Sequence, residues 1–469
     1  MSILTTLAGR ALTFCGAAII SFSAYAQNAP QKTLNTHEFQ LSNGMKVIVR
    51  EDHRAPTVAH MIWYRAGSMD EVNGKTGVAH VLEHMMFKGT KNLKPGEFSK
   101  KVAAVGGRDN AFTSKDYTAY FQQIEKSHLP AMMALEADRM QNLQIDKEEF
   151  AKEIQVVMEE RRLRTDDQSQ AIVYEQLMAT AFTNSPYRHP IIGWMDDLKN
   201  MTYLDALEWY QDWYAPNNAV LVVSGDVLPG DVKALAEKYY GAVPAKKIKE
   251  RKPQIEVPQI GTRRIVVKAP AENPAITFAW KAPKIEPSDL NVIDPYALSV
   301  LSAILDGHAN SRLNRQMVID QRLADSVDAS YGMSGRGPQL FSISASPAKG
   351  KSLVLIEEKI RKILADIKAN GVSNAELDRV KSQLVSSQIY KRDSIFAQAM
   401  EIAIAEMNGI SWKYLDDMLL NVQKVKSEDI QRVVEKYLID DSLTVATLDP
   451  QAIQKKPADA QAMPSGMRH

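Results

Sequence analysis

At 469 residues the chain is longer than one hydrophobic core organises, so two or more domains are expected. Its 57 Lys and Arg against 56 Asp and Glu leave a formal net charge of +1, which gives no electrostatic reason to expect nucleic acid as a partner. The 45% hydrophobic content is that of an ordinary soluble globular protein, and a single cysteine rules out an intrachain disulfide.

That cysteine, Cys15, falls in the first predicted element. Arg10 precedes an apolar run from Ala11 through Phe22, followed by Ser23-Ala24-Tyr25-Ala26. This reads as a secretory signal over residues 1–26, cleaved after Ala26 and too short to span a membrane as a helix. Phe14 is bulky where a lipoprotein signal needs a small residue. The mature chain is therefore expected to be periplasmic or secreted, with no stable membrane span. Without cysteine it has no thiol nucleophile, and any metal site must be built from His and carboxylates.

Residues Thr36 to Arg50 predict two strands around an Asn43-Gly44 turn, and Thr57 to Tyr64 predict a third, broken by Ala66-Gly67-Ser68. His60 inside that strand reads as structural. The stretch from Gly77 to Thr90 then predicts a helix carrying His80, Glu83 and His84. Histidines four apart project from one helix face and can reach one ion, with Glu83 between them close enough to hold a water. The order H-x-x-E-H is the reverse of the H-E-x-x-H zinc motif. A catalytic zinc needs one more protein ligand, so a carboxylate must come from elsewhere in the chain.

Further on, Gly106-Gly107 permits a sharp bend, Asn110 to Thr113 can form an exposed edge, and Tyr117 to Gln122 continues as a strand. Leu129 to Met140 is an amphipathic helix whose methionines read as core. Glu153 to Arg164 is a second helical stretch, dense in glutamates. Seven residues are close to two turns, so Glu153 and Glu160 share a face while Glu159 points about 100° away.

In these segments the sequence resembles the pitrilysin and insulinase family of zinc peptidases, over nearly the whole mature chain and most strongly from Gly44 to Asp226. The resemblance implies one Zn2+ per chain held by His80, His84 and Glu160, with Glu83 as general base. It implies that Glu153 orients His80 or His84, and that Asn110 and Ala111 contact the substrate backbone on an edge strand. It also implies peptides or unfolded segments as substrates, enclosed between two bowl-like halves.

The second half repeats the order of the first. A basic, proline-ended stretch gives a solvated linker at residues 246–258, between a catalytic domain at 27–245 and a homologous non-metal domain at 259–450, with a polar tail at 451–469. Arg263 to Lys268 and Ala275 to Trp280 predict strands and Tyr296 to Leu305 a helix. Long helices follow from Lys351 and Ala375, and Ser442 to Thr447 is a closing strand. The expected fold is α+β: two homologous α/β-sandwich domains, each a mostly antiparallel sheet packed with helices. The segment from Gly307 to Leu313, at roughly the place of the metal helix, has His308 but no second His or paired Glu.

Family members also supply an Arg and a Tyr from a C-terminal domain or a non-zinc subunit. The matching stretch here, Gln339 to Gly350, has neither at the expected spacing. This implies a homologous non-zinc partner subunit. Two function classes follow: a zinc endopeptidase acting as the catalytic subunit of a heterodimer, or a non-catalytic structural or assembly subunit.

Overall fold

The structure, a computed structural model, describes residues 35–453; the signal segment and residues 454–469 of the tail lie outside them. The first half runs β1 (Thr36–Gln40), β2 (Lys46–Glu51), β3 (Thr57–Tyr64), α1 (Val78–Met85), α2 (Glu97–Ala104), β4 (Arg108–Thr113) and β5 (Thr118–Glu125). It continues through α3 (Leu129–Asn142), α4 (Lys147–Arg161), α5 (Ser169–Ala181), α6 (Met195–Asn200), α7 (Tyr203–Trp213), β6 (Ala219–Gly225) and α8 (Pro229–Tyr239). The six strands lie in the order β1-β2-β6-β3-β5-β4, with β2 and β6 parallel and the other neighbours antiparallel. β4, which carries Asn110 and Ala111, is an edge strand.

The β1–β2 connection is wider than a two-residue turn. Leu41 N donates to Met45 O, while the Asn43 side chain reaches away to donate to the carbonyls of Tyr240 and Val243, at 2.8 and 2.9 Å. Beyond it, successive strand residues face opposite layers. Val58, Ile62 and Tyr64 of β3 pack with helices of the first half; Ala59, Met61 and Trp63 pack on the other side. Burial on both faces explains why Ala219 to Val223 reads as an unbroken apolar run.

The second half comprises β7 (Arg263–Pro270), β8 (Ala275–Ala282), α9 (Asp294–Asp306), β9 (Ala324–Tyr331), β10 (Gln339–Pro347), α10 (Leu353–Asn370) and α11 (Asn374–Lys391). It closes with α12 (Ile395–Met407), α13 (Leu415–Lys424), α14 (Ser427–Tyr437) and β11 (Leu443–Gln451). Its sheet order, β7-β11-β8-β10-β9, reproduces β2-β6-β3-β5-β4, down to the one parallel pair. The fold is thus α+β, two mostly antiparallel sheets packed with helices. The counterpart of α1 is α9, which contains no histidine; the His308 segment follows α9 instead of occupying its place.

The two halves exchange a helix. On α5, Val173 and Leu177 pack against Val267, Ala269, Ala279, Ala446 and Leu448 of the second sheet. Its counterpart α12 lays Ala399, Ile402, Ala403 and Met407 on the outer face of the first sheet. Each sheet is therefore covered on one side by a helix from the other half.

The connection at 244–262 has no helix or strand, yet it is not free along its length. Arg251 lies 4.2 Å over the Trp213 ring and donates from Nε to Asp70 at 2.8 Å. The Glu256 carboxylate accepts the backbone N–H groups of Thr183, Asn184 and Ser185 and the Lys281 ammonium at 2.6 Å. Successive N–H groups of this kind form an anion nest. Burial raises the Glu256 pKa, but Lys281 and the three N–H groups outweigh it and hold it at about 2. Because the folded pKa is depressed, this stabilisation is complete above the unfolded value near 4.5 and is lost as pH falls towards 2. Glu256→Gln should cost about 2 kcal/mol at pH 7 in urea unfolding, with the difference from wild type shrinking across that acid window.

Candidate metal centre

All eight residues of α1 are buried. Its start is fixed from two directions. Glu71 accepts the N–H groups of Gly77 and Ala79 at 2.8 and 2.9 Å, although burial pushes that carboxyl up to about 8. Gly77, with φ of +88°, lies so close to the chain at Ile192 that a Cβ would sit 2.5 Å from its carbonyl oxygen. On this helix the rings of His80 and His84 stand 4.7 Å apart at 74° to one another.

α4 begins at Asp146, whose carboxylate accepts the N–H groups of Glu148 and Glu149. Phe150, Ile154, Val157 and Met158 sink into the core, which turns Glu153 and Glu160 towards α1. Glu160 Oε2 lies 3.6 Å from His80 Nε2 and 3.3 Å from His84 Nε2. Metal–ligand bonds of about 2.0–2.2 Å in a tetrahedron put donor atoms about 3.3–3.6 Å apart. The other oxygen, Oε1, takes Arg164 at 2.6 Å; Oε2 is buried with no hydrogen bond of its own. Arg164 reaches it from a π-helical turn, Arg162–Asp166, that continues α4. Among the described residues, His80, His84 and Glu160 are the one group able to hold a metal ion, and two imidazoles with a carboxylate suit zinc.

Glu153 resolves a choice that the sequence left open. Its Oε1 meets His84 Nδ1 at 2.8 Å, while Lys88 holds Oε2 at 2.5 Å, so it orients His84. The His80 Nδ1 is buried without a hydrogen bond. Burial lowers the His80 imidazole to about 3, leaving the neutral ring that ligation needs. The same effect acts on His84, but Glu153 and Glu160, one at each nitrogen, outweigh it and carry it to about 9. Burial likewise opposes Glu160, which His84, His80 and Arg164 nonetheless hold at about 2.

Glu83 is 7% exposed and accepts from Thr113 Oγ1 at 2.5 Å. Burial raises its pKa against the pull of Thr113 and His84. Thr113 ends β4, so the carboxylate is tied to the strand that carries Asn110 and Ala111. All of these residues line one cavity of about 710 Å³. Ala111 N–H donates to the Asn110 side chain at 2.8 Å. Thr113, Lys88, Arg164 and Glu71 escaped the sequence reading as site residues, as did Phe396 and Met400 of α12, which close the far wall of the cavity. For Thr113, period two along the predicted edge offered a signal: it shares a face with Ala111.

Residues 46–194 match the family described as Insulinase (Peptidase family M16), and residues 200–384 match the Peptidase M16 inactive domain. The chain is 32% identical over 437 residues to the zinc protease PqqE of Helicobacter pylori, covering 90% of this chain and 94% of that protein. The chain belongs to the M16 peptidase family. A crystal structure of a protease from Helicobacter pylori superposes with a TM-score of 0.84 at 30% identity, covering 89% of this chain and all of that one. A probable mitochondrial-processing peptidase subunit beta of Schizosaccharomyces pombe is 26% identical, covering 90% of this chain and 93% of that protein. The split between the two matches agrees with the chemistry of this M16 chain: among the described residues, the one group able to hold a metal ion, His80, His84 and Glu160, lies in the first half.

Two substitutions separate the roles of the paired glutamates. Glu160→Gln should reduce bound zinc, measured by atomic absorption after dialysis, from about one ion per chain to near none. Glu153→Gln should keep the site but weaken zinc affinity about 10–100-fold in competition with a chromogenic chelator.

Proposed function

We propose that the protein is a zinc-dependent endopeptidase that cleaves peptides or unfolded segments. The observation that carries this reading is the placement of a buried carboxylate, Glu83, on the same cavity wall as the three convergent donors and beside an edge strand. Zinc, when bound by His80, His84 and Glu160, supplies polarisation of the scissile carbonyl and acidification of a water. Glu83 takes the proton from that water as general base and returns it to the leaving amine. Thr113 keeps the carboxylate aimed, Glu153 keeps the His84 ring in register, and Arg164 occupies the Glu160 oxygen that faces away from the donors.

Substrate backbone adds to β4 as a further strand, with Asn110 and Ala111 as its contacts. The Asn110 side chain must swing aside, because its oxygen covers the Ala111 N–H. The missing Arg and Tyr come from a homologous non-zinc subunit, a reading supported by the fission yeast relative's designation as a subunit. Full activity of the purified chain alone would exclude that partner. In the same reading, residues 1–26 are removed on export to the periplasm or beyond, and the catalytic domain at 27–245 is joined through 246–258 to the non-metal domain at 259–450.

Glu83→Gln should abolish peptide hydrolysis while zinc content stays at wild-type level; hydrolysis at the native rate would reject the assignment. A wild-type protein that binds zinc but cleaves nothing, with or without its partner, would make it a structural subunit. Thr113→Val should lower kcat about tenfold with KM little changed, since one hydrogen bond to a charged group is lost where the reaction occurs.

A further inference from the structure

The duplication maps the metal cavity onto a second one. In the first half the cavity is walled by α1, β4 and the segment after it, α4, α5 and the loop that follows α5. In the second half a cavity of about 450 Å³ is walled by the counterparts of most of these elements: Ser299 on α9, Ser334 after β9, Val385 on α11 and Met400 on α12; β9 itself lends no lining residue, and Leu415 and Met418 of α13 take that place. A supporting ion pair recurs as well. Arg161 at the end of α4 binds Glu175 on α5 at 2.8 Å, and Arg392 just past α11 binds Glu401 on α12 at 3.1 Å.

The chemistry of the second cavity differs. Where α1 and α4 present imidazoles and a carboxylate, α9 and α11 present Ser299, Leu384 and Val385. Its one acidic lining residue, Glu401, is paired with Arg392, its one basic residue, Lys391, is exposed at the end of α11, and the rest of the lining is chiefly aliphatic, with Phe396 its one aromatic ring. Leu384, Val385, Phe396 and Met418 remain partly exposed instead of closing over the space. Partly open apolar surface of this kind marks a place where something apolar docks. Phe396 and Met400, four apart on α12, line both cavities, so the two share a wall.

We infer that this metal-free counterpart of the active site is a second recognition pocket for the same substrate, taking one large apolar side chain of the peptide at a position remote from the scissile bond. The inference rests on the reading of the metal cavity as the place of peptide cleavage. Phe396 and Met400, shared between the two linings, place the second pocket next to the metal cavity, and its mainly aliphatic lining, with the charge of Lys391 at the exposed end of α11, suits an uncharged aliphatic or aromatic group. The substrate class is thereby narrowed to peptides long enough to occupy both cavities and carrying such a residue at the second.

The test uses a 20-residue peptide that the zinc-loaded protein cleaves, with its partner subunit if the pair is needed for turnover. Each large apolar residue is replaced by Ser in turn, and binding of the fluorescein-labelled set to the full-length Glu83→Gln protein is followed by anisotropy. One replacement away from the scissile bond should weaken binding about tenfold or more. Val385→Trp, which fills the pocket, and Leu384→Ser, which makes it polar, should each erase that difference. On a six-residue substrate spanning the scissile bond, the same two variants with Glu83 intact should retain wild-type kcat/KM. Absence of any remote position that matters, or survival of the Leu-over-Ser preference in both variants, overturns the inference. So does a change of oligomeric state in sedimentation caused by Val385→Trp, which would make the pocket an interface between copies. Failure of the peptidase reading itself is distinct: no peptide of any length is cleaved, and the inference falls with it.

Discussion

The burial of α1 along its whole length is the constraint from which the site follows. A helix that carries two imidazoles and a carboxylate into a core cannot leave them to water, so every polar atom must be met by a group brought from elsewhere. Glu71 meets the first N–H groups, Thr113 meets Glu83, and Glu153 meets His84. Two atoms here have no hydrogen bond: His80 Nδ1 on α1, and, on α4, Glu160 Oε2, the atom facing both imidazole nitrogens. An unsatisfied buried carboxylate oxygen is costly, and here it lies 3.6 and 3.3 Å from the Nε2 atoms of two imidazoles, within the donor spacing of a tetrahedral metal site. His60 makes the contrast. It is buried more deeply still, but Gln122 and Tyr240 take both of its nitrogens at 2.6 and 2.9 Å.

The reciprocal exchange of α5 and α12 explains why a non-metal half is retained at all. The outer face of the first sheet is covered by α12, and the second sheet by α5, so neither half buries its apolar surface without the other. Polar ties reinforce the join: Arg336 spans to Asp70 with two short contacts, and Lys46 reaches Glu406 at 2.8 Å. α5 also follows directly on the π-helical turn after Glu160. The second half thereby supports the first through α5 and walls its cavity through α12, a packing role that needs no ligand residues on α9 or α11.

Much of this was legible in local sequence. β3 falls on its expected residues because β-branched and aromatic side chains fill both of its faces, and α1 and α4 followed from spacing. The seven-residue interval between Glu153 and Glu160 put both on one face, as α4 does. What could not be read were contacts set by distant chain segments. Nothing local to Glu153 chooses between His80 and His84; the answer depends on the depth at which α4 packs. The helix exchange is equally hidden, since the apolar stripe of α12 says that it is buried but not on which sheet. The expected linker is a related case: Glu256 looks solvated until Thr183, Asn184 and Ser185 are folded around it.

The pleat of β4 joins these observations. Ala111 and Thr113 lie on one face of the strand, with Thr113 bonded to Glu83 and Ala111 packed in the core that contains α1. Phe112 lies on the other face, against the cluster that α12 completes. On the proposed reading, a peptide added to this edge would share the same alternation, its side chains pointing in turn to the side of the metal donors and to the side of Phe396 and Met400. A slip of one residue would exchange the two sets. In the proposed reading, register on β4 would therefore fix two things at once, the peptide bond set against the three metal donors and the side chains set against the α12 wall. Specificity in such a site is a property of the alternating pattern of the substrate as much as of the residues flanking the cleaved bond.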